Sequence, residues 1–274
     1  MAWTETTRRQ YDREGAGYAS DVRDAEWRLI APFMPKARRL GRKRTTDLRV
    51  VVDAILYILT AGCQWRMLPK HFPPYATVQG YFYTWRDDGT LWRINHALVM
   101  QAREREGREA SPSAGIIDSQ SVKTTEMGGL RGYDAGKKIK GRKRHIVVDT
   151  LGHLIGLIVH PADIQDRDGA VWLLGSIRRT HPWLRHVFAD GGYAGKKLKN
   201  ALAKIGTWTL EIVKRSDTAK GFELLPRRWV VERSLAWFGR SRRLAKDFET
   251  TLASAEAWIL LSSIKLLTRR IAKA

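Results

Sequence analysis

The 274-residue sequence contains a single cysteine, Cys63, and no long uninterrupted apolar run. One cysteine excludes an intrachain disulfide framework and a zinc site built from cysteines, and it fits a reducing compartment. The first residues lack the apolar core of a signal peptide, and no segment approaches the roughly 20 apolar residues that span a bilayer. We therefore expect a soluble, cytoplasmic protein with no membrane partner.

Acidic residues are scarce beside basic ones. The chain has 28 Asp and Glu against 49 Lys and Arg, which gives a formal net charge of +21 and a pI near 10.4. The basic residues are spread over the whole chain instead of forming a detachable tail. Such an excess predicts a polyanionic partner, most commonly nucleic acid, although charge alone also allows a ribosomal or structural role. With 43% hydrophobic residues, the chain has enough apolar material for one or two folded domains.

The first part of the chain has helical periodicity. Residues 1–20 predict a flexible arm, and residues 21–108 predict a small all-helical domain. The clearest helix covers residues 45–62, where apolar residues recur at three- and four-residue steps between a Thr or Asp cap and a terminating glycine. Further helices are expected over residues 21–33 and 77–86 and from residue 90. Short helices with basic flanks suit a helix-turn-helix DNA-binding domain, but packing or dimerisation fits the same pattern.

From residue 109 to 274 the pattern changes to short apolar strands that alternate with helices. The expected strands are a short apolar strand in the segment 114–122 that ends at Asp118, two strands within 144–160, a strand ending at residue 190, and residues 207–215. The expected helices include residues 168–179, 227–246 and 251–270. This order predicts an α/β domain of the ribonuclease H-like class, with a mixed five-stranded sheet flanked by helices.

Two of the predicted strands end in an aspartate, Asp118 and Asp190. In this order of elements the first and fourth strands are neighbours in the sheet, so the two carboxylates would meet. Two close carboxylates repel each other unless a cation lies between them, and hard oxygen ligands suit Mg²⁺ or Mn²⁺. The simpler alternative is that Asp190, followed by Gly191 and Gly192, only opens a turn.

A third carboxylate is expected on the basic and aromatic helix near the C-terminus, where Glu232 is the candidate. Arg228 precedes it by four residues, so an ordinary surface ion pair worth a few tenths of a kcal/mol is an alternative. Helical spacing places Ala236 and Gly239 on the same face as Glu232. A face with so little bulk would let a phosphodiester approach, which favours the catalytic interpretation.

Several segments occur in a fixed order: IIDSQSVK, GRKRHIVVDTLGH, FADGGYAG and RRWVVERSLAWFGRSRRLAKDFE in the second part, preceded by DAEWRLIAPFMP and GCQWRMLPKHFPPYATVQGYFYTWRDDG. Together they resemble bacterial insertion-sequence transposases of the DDE type, specifically the fifth insertion-sequence family. The resemblance extends from about residue 20 to 250. Several ordered motifs make it more specific than three scattered acids.

The resemblance implies that Asp118, Asp190 and Glu232 form the catalytic, metal-binding triad. It implies a DNA transposase that cuts the ends of an insertion sequence and joins the freed 3′-hydroxyls to target DNA by two-metal-ion phosphoryl transfer. The expected cofactor is Mg²⁺, with Mn²⁺ able to substitute. The expected partners are double-stranded DNA, as terminal inverted repeats and target, and further copies of the chain in a homodimer or larger assembly. Such a protein would be associated with the nucleoid.

The sequence departs from the signature of Tyr, Arg, Glu and Lys that relatives often carry around the glutamate. Arg228 and Glu232 match the signature, but Leu225 stands at the tyrosine position and Gly239 at the lysine position. Arg240 is the expected replacement for the lysine. The departure leaves the triad intact and leaves open which side chain holds DNA near the scissile phosphate.

A basic run, KKIKGRKR, begins the predicted hairpin. Beside a site that cuts phosphodiesters, we expect this run to contact the DNA backbone, although a solvated loop or the protection of an edge strand is the alternative. The expected DNA contacts are Lys137, Lys138, Lys140, Arg142, Lys143, Arg144, Arg228 and Arg240.

Other readings of the same residues remain open. A metal-dependent nuclease that cuts without joining, or a DNA-binding protein that has lost catalysis, would share much of this pattern. Trp229 and Trp237 flank Glu232 and are the aromatic residues to test for base stacking. Three further acids precede a helix, where capping is favoured over metal binding: Asp163, Asp166 and Asp168. Asp149 is assigned to the hairpin turn.

Overall fold

The computed structural model describes residue 5 and residues 16–36, 43–126, 129–213 and 227–273. Most of the predicted arm over residues 1–20 lies outside this range, as does Leu225. Within the range, a helical N-terminal region precedes a mixed α/β region, as predicted. The end of the arm is packed, because the Tyr18 ring lies 4.7 Å from that of Tyr57 and 5.7 Å from that of Phe72, measured between centroids.

The helices of the N-terminal region are α1 (Asp24–Ile30), α2 (Leu48–Ala61), α3 (Tyr75–Asp87) and α4 (Thr90–Arg105), with a 3₁₀ turn at Ala31–Phe33. Helix α2 shows why the sequence pattern was informative. The Asp47 carboxylate accepts a hydrogen bond from the Arg49 backbone N–H and caps the start. Gly62 adopts a φ of 72°, which favours glycine, and ends the helix.

The sheet is formed by β1 (Ala114–Lys123), β2 (Gly132–Asp134), β3 (Ile139–Asp149), β4 (Leu154–Pro161), β5 (His186–Ala189) and β6 (Thr209–Ile212). The main order is β4-β3-β1-β5-β6, and β2 pairs with the first residues of β3. Strand β1 is antiparallel to β3 and parallel to β5, and β5 is parallel to β6. This arrangement is consistent with the predicted ribonuclease H-like fold. The three-residue β2 was not predicted, since it is too short to show alternation.

Two strands are longer than the sequence pattern indicated. Strand β1 continues to Lys123, so Asp118 lies in the middle of the strand and not at its end. Strand β3 begins at Ile139 and includes the second half of the basic run. The continuous pairing of β1 with β3, from Gly115 opposite Asp149 to Lys123 opposite Gly141, holds these polar residues in extended backbone. Long-range pairing therefore overrides their weak strand propensity.

The helices of the α/β region are α5 (Asp166–Ile177), α6 (Lys196–Ala203), α7 (Arg228–Gly239) and α8 (Leu252–Ile271). Helix α7 is shorter than the predicted 227–246, because the chain leaves the helix at Gly239 and forms a 3₁₀ turn at Arg242–Leu244. None of the helices in the described part of the chain combines the length and the apolar character that a membrane span requires.

The C-terminal helix α8 packs against α1, α2, α3 and α4 as well as against β4. The Trp258 ring, which is fully buried, stacks on Phe82 of α3 with 4.6 Å between ring centroids. The helical N-terminal region and the C-terminal helix therefore share one apolar core, which also includes the sheet. The predicted division into residues 21–108 and 109–274 describes the order of elements along the chain. The apolar core includes residues from both sides of that division.

Candidate active site

Asp118 and Asp190 lie on the two adjacent central strands. In the parallel pairing of β1 with β5, Ile116 is opposite Phe188, and each aspartate follows its paired residue by two positions. The register therefore places the two acids at the same level of the sheet. Asp190 directly follows β5, and its Oδ1 accepts a hydrogen bond from the Gly192 backbone N–H at 2.8 Å. Asp190 thus shapes the turn, as the two glycines after it suggested. Its other oxygen, Oδ2, faces the guanidinium of Arg228.

The pKa of Asp118 reflects both its burial and the proximity of Asp190. Burial raises the pKa of Asp118 to about 6, and the negative charge of Asp190 adds to the increase. The pKa is lowered in part by a hydrogen bond from the Ser119 backbone N–H and by the positive charges of Lys137 and Arg228. The pair is therefore a site of concentrated negative charge that a cation would relieve.

Arg228 of α7 supplies a positive charge next to these acids. Its Nη2 lies 3.8 Å from Asp190 Oδ2 and 3.3 Å from Glu232 Oε1. Since one nitrogen makes both contacts, the two carboxylate oxygens can be no farther apart than the sum of these distances. The structure thus places Glu232 near Asp190. The i,i+4 ion pair between Arg228 and Glu232, which the sequence offered as an alternative, is also present.

The donor chemistry suits a hard divalent cation, because the acids offer carboxylate oxygens. The guanidinium of Arg228 occupies the place of a counter-charge between Asp190 and Glu232, and Glu232 is exposed. In the described ranges, no group of three or more His, Cys, Asp or Glu side chains is arranged to hold a metal ion. Asp118 and Asp190 therefore offer ligands that fit a divalent cation, while Glu232 is held in an ion pair with Arg228.

The opposite face of β1 carries a second polar group, which the sequence did not reveal. Side chains alternate along a strand, so Ser119 points away from Asp118. The Ser119 hydroxyl donates to Asp166 Oδ1 at 2.8 Å, and Lys143 Nζ lies 3.0 Å from the same oxygen. Asp166 does begin a helix, as the capping interpretation required, but it is bound to the sheet. The other two acids before this helix are not bound to the sheet in this way. Asp163 is exposed, and Asp168 pairs with Lys197 at 2.7 Å.

A chain of buried hydrogen bonds runs from the turn after Asp190 into the sheet. The Tyr193 hydroxyl lies 2.8 Å from His145 Nε2, and His145 Nδ1 lies 3.3 Å from His160 Nε2. His160 Nδ1 lies 2.9 Å from the Pro161 carbonyl oxygen, which can only accept. In the neutral state His160 therefore donates to Pro161, His145 donates to His160, and Tyr193 donates to His145.

These three side chains are almost fully buried. Burial, reinforced by the neighbouring His160, holds the pKa of His145 well below its usual range, so His145 is neutral at pH 7. The chain of hydrogen bonds fixes the position of Tyr193, three residues after Asp190. The sequence signal that could have indicated this network was the presence of His145 and His160 in adjacent strands, together with Tyr193 in the turn after Asp190.

The second half of the basic run is buried. Arg142, Lys143 and Arg144 are each at most 5% exposed. Arg142 Nη1 pairs with Asp247 at 3.1 Å, and its guanidinium also donates to the carbonyl oxygens of Glu249 and Thr250. The expectation that these three residues contact DNA is therefore inconsistent with their positions, since they hold other parts of the chain. This part of β3 shows no alternation of apolar and charged residues, so no local pattern predicts that its charged side chains are buried.

The rest of the expected DNA contacts are accessible. Lys137, Lys138 and Lys140 are exposed in the turn that precedes β3 and at its start. Arg240 is exposed just after the end of α7, one turn beyond Ala236. Arg228 is half-buried beside the acids. Of this remaining set, Lys137 and Arg228 lie near the acids.

Trp229 and Trp237 are arranged around an arginine of the same helix. The guanidinium carbon of Arg233 lies 4.4 Å from the ring centroid of Trp229 and 4.6 Å from that of Trp237. Both rings therefore already have a cation–π partner. Trp229 is 38% exposed, so part of its surface remains open to solvent.

Comparison with known proteins agrees with this architecture. The mixed sheet flanked by helices is consistent with the ribonuclease H-like class. The family model described as "Transposase DDE domain" matches residues 109–266, and the model described as "Putative transposase of IS4/5 family" matches residues 22–95. The chain belongs to the DDE transposases of insertion sequences, since the first of these models covers more than half of it. No solved structure matches the chain.

Two curated relatives match parts of the chain. An uncharacterized protein of Sinorhizobium fredii is 32% identical over 83 residues, which are 30% of this chain and 64% of the relative. A protein of Burkholderia cepacia named "Putative transposase for insertion sequence element IS402" is 34% identical over 116 residues, which are 40% of this chain and 54% of the relative. The chain thus spans less than two thirds of the length of these relatives.

Proposed function

We propose that this protein cuts the ends of an insertion sequence and joins the freed 3′-hydroxyls to target DNA, with Asp118, Asp190 and Glu232 as the residues that hold divalent metal. The observation that carries the proposal is the meeting of Asp118 and Asp190 at one level of adjacent strands, with Glu232 brought to Asp190 through Arg228. Membership in the DDE transposase family supports the same reaction class.

The residues of this chain would bind and orient the reacting groups. Asp118 and Asp190 are hard oxygen ligands, and Mg²⁺ or Mn²⁺ held by them would polarise the phosphodiester and activate the attacking hydroxyl. Arg228 lies where it can pass from the carboxylates to a DNA phosphate, because both are anions that a guanidinium binds. The chemistry requires no side-chain nucleophile from the protein.

The partners proposed for this site are the terminal inverted repeats and the target DNA. The accessible lysines before β3 and the net charge of +21 support backbone contact with DNA. Joining two DNA ends requires at least two active sites near each other, so we propose a homodimer or larger assembly on DNA. The helical N-terminal region, matched by the IS4/5 transposase model, is proposed to contribute DNA contacts.

The first test compares Asp118→Asn, Asp190→Asn and Glu232→Gln with the wild type in Mg²⁺-dependent cleavage of DNA carrying the element's end. Each variant should lose more than about a hundredfold in rate, because each removes a metal ligand, while DNA affinity stays within a few-fold. Asp168→Asn is the matched control, since Asp168 is a nearby acid paired with Lys197. Near-normal cleavage by a triad variant would remove that residue from the assignment.

Strand joining separates transposition from simple nuclease action. A labelled DNA end with a free 3′-hydroxyl, incubated with plasmid DNA and Mg²⁺, should become covalently attached to the plasmid by the wild type. Cleavage without attachment would support the alternative of a metal-dependent nuclease. DNA binding with neither activity would support a non-catalytic DNA-binding protein.

A further inference from the structure

The turn between β2 and β3 is attached to the strand that carries Asp118. Asp134, at the end of β2, is buried, and its Oδ2 accepts a hydrogen bond from the Ser121 hydroxyl of β1 at 2.6 Å. Lys143 Nζ lies 3.6 Å from the same carboxylate oxygen. The backbone N–H of Lys137 donates to Asp134 Oδ1 at 3.0 Å. Asp134 therefore ties the turn to β1 at a position three residues beyond Asp118.

The side chain of Lys137 reaches from this turn to the neighbour of Asp118. Its Nζ donates to the Ser119 carbonyl oxygen at 3.0 Å. Burial raises the pKa of Asp118, and the positive charges of Lys137 and Arg228 act to lower it. An ammonium has three protons to donate, and a single carbonyl contact uses one of them. The Lys137 ammonium thus lies beside Asp118 and has protons left to donate to an anionic ligand.

Two cations therefore approach the acids from different elements. Arg228 comes from α7 and contacts Asp190 and Glu232. Lys137 comes from the turn before β3 and lies beside Asp118. Arg240, the replacement that the sequence suggested for the missing lysine, lies just after the end of α7. The contact with the Ser119 carbonyl oxygen places Lys137 beside Asp118.

We propose that Lys137 contacts the scissile phosphate of bound DNA and so supplies the function of the lysine absent at Gly239. The inference rests on the proposed function, because it requires a phosphodiester at Asp118 and Asp190. It also assigns different roles within one basic run. Lys137 binds the phosphate that is cut, Lys138 and Lys140 contact the DNA backbone elsewhere, and the buried part of the run supports the fold.

The experiment measures affinity, with no metal present, for two duplexes that carry the boundary of the DNA element encoding this chain. One duplex is unmodified, and the other has an uncharged methylphosphonate at the cleavage position, which is mapped first with wild-type protein and Mg²⁺. Lys137→Met should weaken binding to the unmodified duplex by about tenfold, since a hydrogen bond to a charged group is lost. It should have little effect on binding to the methylphosphonate duplex.

Matched controls come from the same run. Lys138→Met and Lys140→Met should weaken binding to both duplexes by the same factor, because their proposed contacts are to other phosphates. In Mg²⁺, Lys137→Met should also lower the cleavage rate at saturating DNA, and Lys137→Arg should restore part of it. Melting temperatures within about 2 °C of wild type are expected for all three Met variants, since the residues are exposed.

The outcomes separate the two proposals. If wild-type protein cuts the boundary but Lys137→Met weakens binding to both duplexes equally, or to neither, the inference about Lys137 is overturned and the proposed function stands. If wild-type protein makes no Mg²⁺-dependent cut, the proposed function is overturned and the inference falls with it. A defect confined to the unmodified duplex supports the role of Lys137.

Discussion

At the scale of single side chains, Tyr193 links the turn after Asp190 to the interior of the protein. It lies three residues after Asp190, and its hydroxyl donates to His145, which in turn is fixed by His160. Burial raises the pKa of Tyr193 well above its usual range, so the hydroxyl stays protonated and keeps its role as a donor. The turn that follows Asp190 is thus anchored by a hydrogen bond made outside the acidic pair.

We predict that Tyr193→Phe lowers the affinity for Mg²⁺ and the cleavage rate by roughly tenfold to a hundredfold, the range typical of residues that orient metal ligands. Stability should fall by about 1 to 3 kcal/mol, because His145 Nε2 loses its donor. Cleavage is measured as a function of Mg²⁺ concentration, together with thermal unfolding. Tyr133→Phe, at an exposed tyrosine, is the control. A loss of stability with an unchanged Mg²⁺ dependence would limit Tyr193 to a structural role.

Two elements are joined by a buried charged cluster at the scale of secondary structure. Arg103 of α4 lies 2.6 Å from Asp149 at the end of β3, and His153 lies 3.1 Å from the same carboxylate. The Asp149 carboxylate also accepts the backbone N–H groups of Leu151 and His153, so it organises the hairpin turn to which the sequence assigned it. The cluster therefore connects the helical region to the sheet.

The cluster predicts a specific acid sensitivity. Burial opposes ionisation of Asp149, but the hydrogen bonds and charges of His153 and Arg103 outweigh it and lower the pKa to about 2, from a usual 3.8. Its contribution to stability is therefore present above about pH 4 and is lost as the pH falls towards 2. Asp149→Asn should cost about 2 kcal/mol of unfolding free energy at pH 7 and progressively less below pH 4.

Denaturant unfolding at several pH values measures this effect. Asp87→Asn is the control, because Asp87 pairs with Arg86 at an exposed position and should change stability little at any pH. A constant difference between Asp149→Asn and wild type from pH 7 to pH 3 would contradict the assignment of the acid sensitivity to this carboxylate.

A second connection between elements comes from β3. Arg142 and Arg144 bind carbonyl oxygens of the segment between α7 and α8, including those of Leu244 and Thr250. Burial lowers the pKa of Arg144 to about 10, yet it remains protonated at pH 7. These contacts hold the segment that follows α7 against the sheet. The sequence assigned both arginines to DNA, but the structure engages them within the fold.

The positive charge of the whole molecule is divided between surface and interior. The net charge of +21 includes buried cations such as Arg103, Arg142, Arg144 and Arg243. Those residues are already bound within the fold and cannot neutralise phosphates. The electrostatic attraction of DNA therefore depends on the exposed lysines and arginines, and the total charge overstates the number of phosphate contacts.

Divalent metal should stabilise the whole molecule when DNA is bound. A ligand that binds only the folded state adds about 2.7 kcal/mol at a hundred times its dissociation constant. We predict a higher melting temperature in millimolar Mg²⁺ than in EDTA, with duplex DNA in both samples. Asp190→Asn should lose most of the increase, whereas Asp168→Asn should keep it. Equal melting temperatures of the wild type in Mg²⁺ and EDTA would count against metal binding by the folded protein.

The sequence by itself determined the order of elements and the family. Helix α2 was predictable because its cap, apolar spacing and terminal glycine are all local signals. Asp118 and Asp190 could be paired because the order of strands dictates which are neighbours. The ordered motifs indicated the DDE transposases, which the family comparison confirmed. The assignment of the metal ligands remains a prediction.

Only the tertiary structure decided which charged residues are accessible. Lys140 and Arg142 are two residues apart in one basic run, but the first is exposed and the second is fully buried against Asp247. Asp247, Glu249 and Thr250, which bind Arg142, lie more than 100 residues away along the chain, and no local pattern records such contacts. The contacts of Tyr193 with His145 and of Lys137 with Ser119 also join residues of different elements. Burial and long-range pairing, which depend on the packed fold, thus decide whether a charge supports the structure or meets a ligand.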